Sequence, residues 1–176
     1  MSIGARATGR GLLVIFAAIG APQSASAQGW TSAKEMQGAV LSHTSRYFEK
    51  KDAARFGAAY SFFGQAAKTA IPYRAYLKLA IGRRAKFGAL RARRVTKVSW
   101  YQQRTRSGAP NVYAAVDLTS TFDKLLVHCS YLVWQVFGDR RVVLIREQIS
   151  YLTKEVARSI TASKIRDLRK RLGCKD

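Results

Sequence analysis

Two histidines and two cysteines are the side chains in this 176-residue sequence that titrate or ligate most readily near neutral pH. His128 directly precedes Cys129, and Asp117 lies a short way upstream. A histidine and an aspartate in contact can act as a general base and the carboxylate that orients it. Period-two patterning puts Asp117 and His128 on adjacent strands, so their meeting depends on register. Asp117 falls on the face opposite Val116. The plainer alternative is a hydrogen-bonded histidine in the core and an exposed aspartate on a sheet. Two His and two Cys are few for a closed zinc site. No G-x-S-x-G, metal-ligand spacing, P-loop or G-x-G-x-x-G is present. No catalytic residue, metal or cofactor is therefore expected.

The elements that position these residues begin after a leader. Residues 1–27 carry Arg6 and Arg10 without an acid, an apolar run from Leu12 to Ile19, and Ala25-Ser26-Ala27 before Gln28. A positive start, a short apolar stretch and a small-x-small site make a secretory signal peptide. The alternative, a membrane anchor, needs about 20 apolar residues. A periplasmic or secreted bacterial protein is expected, with a domain over 28–152 and a basic tail over 153–176. Its length suits one domain. In an oxidising compartment the two cysteines read as one disulfide, Cys129 to Cys174. The alternative is a reactive thiol at Cys129. Neighbouring residues on a strand point to opposite faces, so His128 is poorly placed to activate it.

Residues 32–50 read as a helix with Met36, Val40, His43 and Tyr47 on one stripe, opened by a Ser32/Glu35 capping-box pattern. A second helix is predicted over 53–68, with Phe56, Tyr60, Phe63 and Ala67 on one face. Pro72 suits the first turn of a third, which carries Tyr73, Tyr76, Leu77, Ala80 and Ile81. After Gly88 the period changes to two. Strands are predicted over 93–102, 111–122, 125–137 and 140–152, with hairpin signals at Asp123-Lys124 and Gly138-Asp139. A short basic helix closes the chain, with Ser163 as its cap and Gly173 as its stop. Helices followed by an antiparallel meander argue for an α+β fold, with helices covering one face of a four-stranded sheet.

Tyr73-x-x-x-Leu77, Lys86-Phe87-Gly88-Ala89-Leu90-Arg91-x-Arg93-Arg94-Val95 and the strand Tyr113–Phe122, ending Ser120-Thr121-Phe122, resemble a secreted bacterial family, domain of unknown function 4019. More broadly, the order of elements resembles the cone-shaped nuclear-transport-factor-2-like superfamily. The resemblance spans about 32–152. It implies N-terminal helices packed on a curved antiparallel sheet, and no known catalytic residues. It also implies a pocket between sheet and helices, for which His128, Asp117, His43 and Tyr60 are the polar candidates.

Charge is the main functional signal. Lys and Arg number 31 against 10 Asp and Glu, a formal net charge of +21. The 64 residues between Asp52 and Asp117 hold no acid and 13 cations. Nine of these form the candidate anion-binding set: Arg83, Arg84, Lys86, Arg91, Arg93, Arg94, Lys97, Arg104 and Arg106. Such a field draws in polyanions. Outside the cytoplasm these are lipopolysaccharide, anionic lipid head groups and acidic glycans. The bland alternative is a merely solvated basic surface. No nucleic-acid motif is present, so specific nucleic-acid readout is not expected. The sequence thus argues for an exported, non-enzymatic binding or accessory domain that meets anionic envelope components or an envelope protein. The alternative is a small-molecule pocket protein, or a hydrolase- or isomerase-like enzyme of the cone type.

Overall fold

The structure, a computed structural model, describes residues 31–103 and 111–174. The expected leader, Arg104 and Arg106 lie outside the described residues. Helices come first: α1 (Thr31–Asp52), α2 (Phe56–Tyr60), α3 (Gln65–Ala70) and α4 (Tyr73–Phe87). Four strands follow: β1 (Leu90–Gln103), β2 (Asn111–Phe122), β3 (Leu125–Val136) and β4 (Val142–Thr153). They pair antiparallel in the order β1-β2-β3-β4. Two short helices, α5 (Lys154–Arg158) and α6 (Ala162–Arg171), end the chain. This is the α+β layout that the periodicities predict. No helix among the described residues is long and apolar enough to cross a membrane.

Burial follows the two periods. Met36, Val40, Tyr47 and Phe48 of α1 pack with Tyr76 and Ala80 of α4. They meet the sheet on Ala114, Val116 and Leu118 of β2 and on Leu132, Trp134 and Val136 of β3. Trp134 is fully buried, and its indole N–H donates to Thr44 Oγ1 at 2.9 Å. That bond satisfies the one polar atom of the largest core side chain. A second, smaller cluster of Phe87, Phe122 and Leu125 closes the other end of the sheet.

One expectation is corrected, and one strand departs from plain alternation. The continuous helix over 53–68 is two short helices, because the chain between them ties to β4. Gly64 N–H donates to Leu144 O at 2.9 Å, and Leu144 N–H donates to Phe62 O at 2.8 Å. A Cβ at Gly64 would stand 2.9 Å from Val143 Cγ2, so any side chain there would have to displace the Val143 side chain. In β4 the apolar alternation changes phase. Trp134 pairs with Leu144 but Val133 pairs with Arg146, which leaves Ile145 as the extra residue of a bulge. Beyond it, Glu147, Ile149 and Tyr151 share the helix-covered face, being paired with Leu132, Ser130 and His128.

Gly88, at φ 76°, stops α4, as the change of period there suggests, while one cap differs in detail. Thr161, rather than Ser163, caps α6: its hydroxyl accepts from Lys164 N–H.

Candidate functional site

The cavity between helices and sheet lies where the two core clusters meet. Its volume is about 530 Å³. Phe48 and Phe56 come from the N-terminal helices, Ala80 and Phe87 from α4, and Phe122 and Ile149 from the sheet. Four cations also line it: Lys51 at the end of α1, Arg83 and Arg84 on α4, and Arg93 on β1. The volume lies within the usual range for small-molecule sites, whose walls are mostly apolar with a few convergent polar groups.

Two carboxylates hold three of these cations in place. Glu147 projects from β4 into the layer between sheet and helices, and its side chain is only 5% exposed. Lys51 bonds one of its oxygens at 2.5 Å, and Arg83 approaches the other at 3.5 Å. Burial alone would push this carboxyl up, but Lys51 and then Arg83 hold it below the ordinary carboxylate value. Asp52 takes Arg93 in a two-pronged pair at 2.6 and 3.2 Å. The Arg93 guanidinium also lies 3.9 Å from the centroid of the Phe48 ring. Among the described residues Arg84 donates only to the main-chain oxygen of Asp52 and pairs with no carboxylate. Four cations against two acids leave the cavity net positive.

His128 lies at the inner end, its ring edge-on to Phe87 and tilted against Phe122, with centroids 5.4 and 4.9 Å apart. Its Nδ1 is buried and makes no hydrogen bond to another described residue. Burial, reinforced by the Arg93 and Lys51 charges, lowers its pKa to about 4. It is therefore neutral at physiological pH. The buried Tyr47 hydroxyl lies beside the Tyr76 hydroxyl and the Glu147 carboxylate and interacts with both. Desolvation holds both phenols well above their ordinary value.

This gives a pH dependence with a definite sign. Above about pH 6.5 His128 is neutral in both the folded and the unfolded chain. As pH falls from there towards the folded value, the unfolded chain takes up a proton that the fold refuses, and stability is lost. The loss between pH 7 and pH 4.5 is roughly 2–3 kcal/mol. Denaturant unfolding at both pH values is expected to show this loss in the native protein. In His128→Leu the drop shrinks by that amount, and an unchanged drop would place the acid sensitivity elsewhere.

The pocket candidates do not come together. Asp117 pairs with Tyr131, whereas His128 pairs with Tyr151 on the opposite face. No His–Asp pair forms, because the register gives the two residues different faces of one sheet. His43 Nδ1–H donates to Ala39 O at 2.9 Å, and the ring meets Phe62 and Trp134 edge-on. Tyr60 donates to Ile71 O at 2.8 Å and stacks with Tyr73 and Tyr76. Both are packing residues outside the cavity wall. Only His128 of the four lines it.

The cation run is also divided. Arg83, Arg84 and Arg93 enter the cavity, while Arg94 and Lys97 lie on the other sheet face. Arg91 pairs with both oxygens of Asp123, and Lys86 sits 5.8 Å from the Tyr151 ring centroid. Glu147 and Lys51, which organise the site, were not legible as site residues. The available signal was an acid standing in the apolar phase of the last strand. Among the described residues no group of three or more His, Cys, Asp or Glu could hold a metal ion.

The cysteines are joined. Cys129 and Cys174 form a disulfide with S–S 2.03 Å and Cα–Cα 5.4 Å, which removes the alternative of a reactive Cys129 thiol. Such bonds persist in oxidising compartments.

No family model matches the chain. No curated protein matches it either. Among solved structures, ActVI-ORFA from Streptomyces coelicolor aligns with 66% of this chain and 97% of its own, at 10% identity and a TM-score of 0.42. That is a loose likeness of layout, and the site described above takes nothing from it.

Proposed function

We propose that this chain is an exported binding protein whose cavity takes a small organic anion with an apolar body. The observation that carries this reading is the cavity itself: aromatic and aliphatic walls, with four cations converging against two carboxylates. A carboxylate or sulfonate head would meet Arg84, which pairs with no carboxylate among the described residues, while a ring or short alkyl body replaces water against Phe48, Phe87 and Phe122. A general base works best with a pKa near the operating pH. His128 lies far below that and has no carboxylate partner, which supports binding over proton transfer. The leader pattern and the disulfide support export.

The test is a fluorescence titration with 1-anilinonaphthalene-8-sulfonate, an aromatic anion of suitable size. Saturable binding is expected, weakened about tenfold or more in Arg84→Ala, in line with the loss of one charge-assisted hydrogen bond. Unfolding curves run in parallel show whether the variant is still folded. Equal binding by the folded variant would contradict the proposal.

A further inference from the structure

A second site lies on the outer face of the sheet, away from the cavity. The registers align two rungs across all four strands. One rung is Lys97–Asp117–Tyr131–Gln148, and the next is Arg94–Thr119–Cys129–Ser150. The disulfide at Cys129 brings the end of the tail over these rungs, and with it Arg171. The groove so roofed measures about 620 Å³.

We propose that this groove binds an anionic sugar, one carrying a phosphate or carboxylate. Arg94, Lys97 and Arg171 supply the charge. Among the described residues none of the three makes an ion pair, and neither does Asp117. A groove for bare phosphate or a polyphosphate has no use for a carboxylate in its floor. The oxygens of a carboxylate such as Asp117 accept hydrogen bonds, so the floor calls for a ligand with O–H donors. Thr119 and Ser150 add hydroxyls, and Tyr131 donates to Gln148 Oε1 at 2.9 Å, which leaves the Gln148 amide N–H groups for the ligand. Cations at the rim with acceptors and hydroxyls in the floor fit a sugar ring and its acidic substituent together. The same chemistry is offered by a free sugar phosphate and by the phosphorylated sugars of lipopolysaccharide. The site is independent of the cavity proposed above.

The experiment is calorimetric titration of the oxidised full chain with glucose 1-phosphate, inorganic phosphate and glucose. The sugar phosphate is expected to bind at least tenfold more tightly than either of the others. Arg94→Ala and Arg171→Ala each weaken it about tenfold or more, and Asp117→Asn abolishes the preference over inorganic phosphate. Arg84→Ala, in the other cavity, leaves this binding unchanged. Reduction of the disulfide weakens it as much as Arg171→Ala, and the arginine variants keep the test open if the reduced protein does not stay folded. Lipopolysaccharide micelles displaced by glucose 1-phosphate would assign the glycolipid as a source of the ligand. Sugar phosphate binding without micelle binding would assign the soluble form. Equal affinity for phosphate and sugar phosphate, no binding at millimolar concentration, or micelle binding that glucose 1-phosphate does not displace would each overturn the proposal.

Discussion

Replacing Glu147 with alanine is expected to cost about 3 kcal/mol of folding stability, the lower end of the range for breaking a buried ion pair. The reason is geometric. Glu147 is the carboxylate that both Lys51 of α1 and Arg83 of α4 reach, so it pins two helices to one strand. Removing it leaves the Lys51 ammonium, 13% exposed in its side chain, without a counter-charge. Arg83 is a third exposed and recovers some solvation, which keeps the loss from the top of the range. The carboxyl titrates below its ordinary value, so its contribution is complete above the usual carboxylate range. It is lost as pH falls through the folded value. Urea unfolding at neutral pH measures the effect. A loss under about 1 kcal/mol would show that Lys51 swings out to water and that the pair holds nothing together. In the folded variant the cavity becomes more positive, so binding of aromatic anions should strengthen.

Reducing the disulfide is expected to cost up to about 4 kcal/mol, since it frees a loop of 46 residues in the unfolded chain. The native tail is affected locally as well. No residue of α6 is buried, and Cys174 ties its end to β3. Hydrogen exchange should therefore accelerate over 162–171 when the bond is cut, while β3 stays protected. Denaturant unfolding with and without reductant gives the first number and exchange gives the second. An unchanged midpoint together with an unchanged tail would mean that α6 docks without its crosslink.

Local periodicity made most of the frame legible. The strand Asn111–Phe122 is where the alternation of Val112, Ala114, Val116 and Leu118 puts it, and the helix stripe Met36–Val40–Tyr47 is buried as expected. The cysteine pairing was legible from the leader-like pattern over 1–27 and the count of two. What the pattern could not show depends on distant partners. The second helix breaks because Gly64 bonds to Leu144, eighty positions later. Ile145 bulges, and that single extra residue moves Glu147 to the covered face. An acid in mid-strand reads as solvent-facing until its register is known. The cation run is contiguous in sequence, but strand alternation and the helix above divide it between two sheet faces. His128 was singled out for a partnership with Asp117 that the register forbids. Its actual neighbours are Phe87 and Phe122, and its place is in a cationic cavity.

The most direct test of the cavity as an anion site is a matched pair of ligands with one body and two heads. Calorimetry with 2-naphthoate and with 2-naphthamide separates charge from shape. The carboxylate is expected to bind at least tenfold more tightly than the amide at low salt, and the advantage should persist in part at high salt because Arg93 and Lys51, which share the cavity with Arg84, are mostly buried and less screened. Equal affinities for the two, or an advantage that salt abolishes entirely, would show that the cavity does not read charge and would contradict the account.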